Sequence, residues 1–106
     1  MSKLSQHETQ LVGQWIEQDG KIAGDETCQR IDELTKAGLE AVQDHPDYGG
    51  WMRLYRDKSD GRYWERYYPQ SGLHGGGPPA LRCRSPDEVA IEYFYQRERL
   101  PPRDEA

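Results

Sequence analysis

The run His74-Gly75-Gly76-Gly77-Pro78-Pro79 constrains this chain more than any other segment. Three successive glycines open backbone conformations with φ > 0 and allow close approach of another backbone. The two prolines then fix φ and remove two amide donors. Such a path is seldom needed only to join two elements. It predicts a rigid loop with Gly75, Gly76, Gly77 and Pro78 as its structural residues, and His74 holding it through the ring nitrogens. Before it stands Asp60-Gly61-Arg62-Tyr63-Trp64-Glu65, a strand dense in rings and charges.

The rest of the chain divides around this block. Leu11 to Glu17 reads as one strand, Asp19-Gly20 as a hairpin turn, and Lys21-Ile22-Ala23 as the return strand. Asp25 reads as a helix N-cap, with Glu26 in the first turn where the helix dipole favours negative charge. The predicted helix runs to about Asp44, before Pro46, with Cys28, Ile31, Leu34, Leu39 and Val42 on one face. Trp51–Asp57 and Arg62–Tyr68 alternate as strands around Lys58-Ser59-Asp60-Gly61, a hairpin loop with glycine where φ > 0 is needed. Pro69 ends the second strand. Ala80–Arg84 is a third strand. Ser85-Pro86-Asp87-Glu88 combines a Ser N-cap, Pro at N1 and Glu at N3, a capping box opening a helix that turns Val89, Ala90, Tyr93 and Phe94 inward. The order ββαβββα predicts an α+β fold, an antiparallel sheet of N-terminal hairpin plus three-stranded meander packed with two helices.

With 106 residues the chain is expected to form a single domain over 1–99, followed by a flexible tail over 100–106. Only 34% of its residues are hydrophobic, but three Trp, seven Tyr and one Phe compensate, since each buried ring removes roughly 150–250 Å² from water. No membrane-length apolar run and no signal-peptide pattern is read, so a cytoplasmic protein with no membrane partner is expected. Cys28 and Cys83 allow one bridge at most; two small buried thiols are expected, and no metal site.

Net charge is −5, unevenly spread. Residues 1–50 hold ten acidic against four basic side chains, and residues 51–84 three against seven. On the predicted helix Glu26, Glu33, Glu40 and Asp44 fall within about 40° of one another, opposite the apolar face. This stripe reads either as a solvated face or as a docking surface for a cationic partner. Asp60, Arg62, Trp64 and His74 beside the glycine-rich loop form a second candidate surface. The strands' arginines, interleaved with Trp and Tyr, raise the alternative of a small nucleic-acid-binding module. The acidic balance opposes it. His74-Gly75-Gly76-Gly77 also matches the letters of an esterase oxyanion loop, but the Gly-x-Ser-x-Gly elbow that chemistry requires is missing. No catalytic set and no cofactor are expected.

Several runs together resemble one family. They are Leu11-Val12-Gly13-x-Trp15, Asp19-Gly20-Lys21, Asp25-x-x-Cys28-x-Arg30-Ile31 and Trp51-x-x-Leu54-Tyr55-x-Asp57. Asp60-Gly61-Arg62-x-Trp64-Glu65, Tyr68-Pro69-x-Ser71 and His74-Gly75-Gly76-Gly77-Pro78-Pro79-x-Leu81 continue the pattern. It is similar to the immunity protein 27 family of bacterial polymorphic toxin systems over about residues 10–90. Gly72-Leu73 departs from it, where an acidic residue is expected. The resemblance implies a cytoplasmic protein that binds a cognate toxin domain, expected to be basic, and blocks it without catalysis.

Overall fold

The computed structural model describes residues 3–70 and 76–94. Seven strands and two helices follow in order: β1 Gln10–Val12, β2 Trp15–Gln18, β3 Lys21–Gly24, α1 Glu26–Glu33, β4 Glu40–His45, β5 Gly49–Arg56, β6 Tyr63–Tyr67, β7 Ala80–Arg84 and α2 Pro86–Val89. Each helix runs on into a wider π-helical turn, Leu34–Gly38 after α1 and Ala90–Phe94 after α2. The α+β class stands. The main sheet is antiparallel with order β1-β7-β6-β5-β4, and β2 and β3 form a separate two-stranded ribbon. The proposed tail over 100–106 lies outside the described residues.

The sheet is covered on both faces, and the alternation of its strands shows why. Tyr55, Trp64 and Leu81 point to one face and pack with Leu11 against Ile31, Leu34 and Leu39. Leu54 points to the other and packs with Val89 and Tyr93. Both helix starts form as the side chains dictate. Asp25 accepts from Cys28 N at 2.9 Å. Ser85 Oγ accepts from Glu88 N while the Glu88 carboxylate accepts from Ser85 N, which is the full capping box. The Asp19-Gly20 turn has φ of 55° and 76°, the double positive φ of a tight hairpin. Both thiols are free, Cys28 buried and Cys83 half-buried.

Two sequence expectations need correction. The expected strand over 11–17 is broken at Gly13-Gln14, so that β1 joins β7 and β2 joins β3. Gly13 N–H donates to Pro79 O at 2.9 Å, and a Cβ on Gly13 would stand 2.5 Å from Cys28 Sγ and 2.7 Å from that carbonyl. Close packing turns the chain there. The helix expected to reach Asp44 stops at Gly38. Leu39 N–H closes onto Leu34 O at 2.7 Å, Leu39 is extended, and β4 then pairs with β5. Pairing with an eight-residue strand, interrupted by register shifts at Val42 and between Asp44 and His45, takes up this segment's backbone, and helical periodicity gives way to it. Val42, expected on the helix's inner face, is skipped in that register and exposed.

The N-terminal segment is tied down by two arginines. Arg30 donates to both Glu8 carboxylate oxygens at 2.6 Å. Arg62 donates to Glu8 O at 2.7 Å and Ser5 O at 2.9 Å. The Arg30 hydrogen bonds, then the Ser5 amide, lower the Glu8 pKa to about 2 from 4.5. A depressed carboxylate pKa stabilises fully above the unfolded-state value and is lost as pH falls through the folded one. Acidification from pH 5 to pH 2 should therefore release residues 3–9. Because the pair is partly solvated, the loss is expected to be only about 1 kcal/mol. Protection against amide exchange, corrected for the intrinsic rate at each pH, should fall across that window in wild type at Glu8 and at Cys83, whose N–H bonds Thr9 O. That protection should not change with pH in Glu8→Gln.

Candidate functional site

The acidic side chains named from the sequence do not form one helical stripe. Glu26 and Glu33 lie on α1, whereas Glu40 and Asp44 lie on β4, an edge strand. There Asp44 pairs with Arg53 at 2.8 Å and Glu40 approaches Arg56 at 4.0 Å. These two carboxylates are cross-strand partners of arginines, and half the expected stripe is neutralised. Glu26 and Glu33 are exposed and form no ion pair among the described residues.

The second set is mostly internal scaffold. Asp60 accepts from Arg62 N at 3.0 Å and Arg62 Nε at 2.7 Å, and the Arg62 amide leads the effects that hold its carboxyl below the ordinary range. Arg62 is spent on residues 5 and 8, and its guanidinium stacks 4.9 Å from the Trp64 ring centroid. Trp64 itself is fully buried. Its expected place on a contact surface is corrected: the pleat turns it between Tyr55, Leu81 and α1. His74 and Gly75 lie outside the described residues.

Gly76 and Gly77 do adopt the positive φ expected of them, 87° and 76°, and Pro78 is fully buried. Each glycine answers a particular neighbour. A Cβ on Gly76 would stand 2.8 Å from Cζ3 of Trp51; one on Gly77 would stand 2.3 Å from Gln70 O. The loop thus lies on the ring of Trp51 and on the backbone that follows β6.

What this loop seats is a surface whose strand rings the sequence placed only in the aromatic strands of the nucleic-acid alternative, not in either candidate toxin-binding set. Tyr48, Trp51, Met52, Tyr67 and Tyr68 line a hollow of about 470 Å³ at one end of the sheet. Trp51 and Tyr48 are 58% and 59% exposed, unusually open for large rings. The Trp51 and Tyr68 rings meet edge to face at 5.5 Å. Tyr68 also borders a second hollow of about 410 Å³, whose walls include Trp15, Gln29, Asp32 and Arg66. The available signal was parity: Trp51 and Tyr68 share the sheet face of Tyr55 and Trp64, but neither belongs to the core packed against α1.

The basic character of the strands is internally compensated. Arg53, Arg56, Arg62, Arg66, Arg82 and Arg84 each face a carboxylate, namely Asp44, Glu40, Asp60, Asp32 and, for the last two, Glu65. Glu65 is wholly buried. It receives Arg82 and Arg84 at 2.7 Å and the Tyr93 hydroxyl at 2.5 Å. Burial, reinforced by this carboxylate, pushes the Tyr93 pKa far up, so the phenol stays a neutral donor. Arg84 also reaches Glu92 at 2.5 Å. Such a network, buried at Glu65, Tyr93 and Arg84, braces the sheet against α2. Among the described residues no group of three or more His, Cys, Asp or Glu side chains is arranged to hold a metal ion.

The model of the family described as immunity protein 27 matches residues 17–85, about two thirds of the chain. The chain belongs to the immunity protein 27 family. No curated protein and no solved structure matches it. In this family member the matched span runs from β2 to the Ser85 cap. It therefore takes in α1, the β4–β7 meander and the loop that seats Trp51. Among the described residues no helix is long and apolar enough to cross a membrane.

Proposed function

We propose that this chain protects the cell that makes it by binding a toxin domain in the cytoplasm and neutralising it stoichiometrically, without catalysis or cofactor. The observation that carries this reading is membership of the immunity protein 27 family across residues 17–85. The structure is compatible with it, since exposed Trp and Tyr side chains are the residue types that anchor protein interfaces. The rival nucleic-acid reading loses its footing, because every arginine of the aromatic strands already faces a carboxylate and phosphate binding needs free cations.

Co-expression tests the reading. The gene immediately upstream is expected to encode a secreted protein whose C-terminal domain arrests growth when expressed alone, and co-expression of this chain should restore growth. With purified components, toxin activity should fall linearly with added chain and reach zero at one equivalent. A chain that neither binds that domain nor restores growth would overturn the proposal.

A further inference from the structure

We infer that the two aromatic hollows and the acidic face of α1 beside them form the toxin-docking surface, and that they receive a lysine- or arginine-bearing loop of the toxin. The inference rests on the proposed function and adds to it a place and a partner chemistry. The two hollows share Tyr68 as a wall, which places Trp51 and Tyr48 on one side of its ring and Trp15 with the α1 side chains Gln29 and Asp32 on the other. Rings presented at such an edge offer their electron-rich faces to a cation. Tyr68 already accepts this kind of contact from Arg66, 5.7 Å away.

Charge points the same way. The wall supplied by α1 contains Gln29 and Asp32. Glu26 and Glu33 lie three residues before and four after Gln29, within about 60° of it around the helix. Both are exposed and form no ion pair among the described residues. Arg66 and Arg53, the cations nearest the rings in sequence, are offset by Asp32 and Asp44. Asp47, beside Tyr48, adds another exposed carboxylate. The surplus along this rim is negative, as is the whole chain at −5, and opposite charge on the partner would speed its capture. The glycine loop gains a purpose as well. Gly76 leaves the space in which the Trp51 ring is held, and a pre-set aromatic anchor loses less entropy on binding.

The test measures binding of the purified upstream-encoded toxin domain to wild-type chain and to variants whose melting temperatures are recorded in parallel. Trp51→Ala and Tyr48→Ala, both at exposed rings, should melt within a few degrees of wild type. Trp51→Ala should bind at least about 30-fold more weakly, the loss typical of a central aromatic anchor. Trp51→Phe, which keeps a ring against Gly76, should stay within about fivefold of wild type. The pair Glu26→Lys with Glu33→Lys should slow association about tenfold and flatten its salt dependence. Val42→Lys on the β4 edge should change nothing.

Failure of the wild-type chain to bind would sink the proposed function and this inference together. Wild-type binding that Trp51→Ala and the charge pair leave intact would overturn the inference alone. So would loss of binding confined to Val42→Lys. Two further outcomes would also overturn it: single-stranded RNA retained at low salt through Trp51, or self-association abolished by Trp51→Ala while toxin affinity is unchanged.

Discussion

Glu65→Ala should destabilise the domain by about 3–4 kcal/mol, although the residue touches no surface. Glu65 is fully buried, and its carboxylate is the shared acceptor for Arg82, Arg84 and Tyr93. Truncation removes three partners at once. Arg82 is partly exposed and turns to water, and Arg84 keeps Glu92 and Glu88. The buried phenol of Tyr93, however, loses its acceptor, at a desolvation cost of roughly 1–3 kcal/mol. The cavity adds to that. Glu65→Gln keeps the volume and one acceptor oxygen but loses the charge and turns an amide toward the guanidinium groups; it should cost about half as much. Replacing both Glu65→Leu and Tyr93→Phe should recover part of the loss, because no orphaned hydroxyl remains. Urea unfolding at pH 7 gives all three values. A loss below about 1 kcal/mol for Glu65→Ala would show that desolvation of the carboxylate already cancels its hydrogen bonds.

Local chemistry was legible in the sequence wherever a side chain decides a backbone conformation by itself. Asp25, Ser85-Pro86-Asp87-Glu88, Asp19-Gly20 and Gly61 stand where their chemistry places them. Longer-range competition was not legible. Leu39 and Val42 continue the spacing of Cys28, Ile31 and Leu34, so a helix to Asp44 satisfied the pattern as well as a strand did. The deciding term is β4 pairing with β5, a partner that begins after a turn and is invisible to a period count. The same holds at Gly13: the alternation of residues 11–17 is that of one strand, yet contacts with Cys28 and Pro79 divide it between two sheets.

For the site, composition misled in an instructive way. Trp64 and Trp51 both sit in strands among arginines, and nothing local distinguishes core from surface. Position relative to α1 does: Trp64 lies in the core packed against the helix, whereas Trp51 stays exposed and Tyr68 half-buried outside it. The acidic residues divide on the same principle. Glu26 and Glu33, left on α1, form no ion pair among the described residues, while Glu40 and Asp44, moved to β4, acquire arginines across the strand.

Gly77→Ala is the backbone counterpart and should cost about 3 kcal/mol or more. Two effects combine there. At φ +76° an alanine pays roughly 1–2 kcal/mol for the left-handed region. Its Cβ would also lie 2.3 Å from Gln70 O and 2.9 Å from Gln70 C, main-chain atoms that cannot swing aside. Gly20 separates the two terms, because it has the same φ of +76° with nothing within 4 Å. Gly20→Ala should therefore show the conformational cost alone, about 1 kcal/mol. Gly76→Ala should fall between them. Its obstacle is the Trp51 ring, which can move, so the domain should stay folded while the tryptophan environment changes. Chemical denaturation of the three variants, read together with Trp fluorescence, tests the order. If Gly77→Ala were no worse than Gly20→Ala, the segment after β6 would have to yield without cost, and the loop would not be the rigid seat that its glycines and prolines imply.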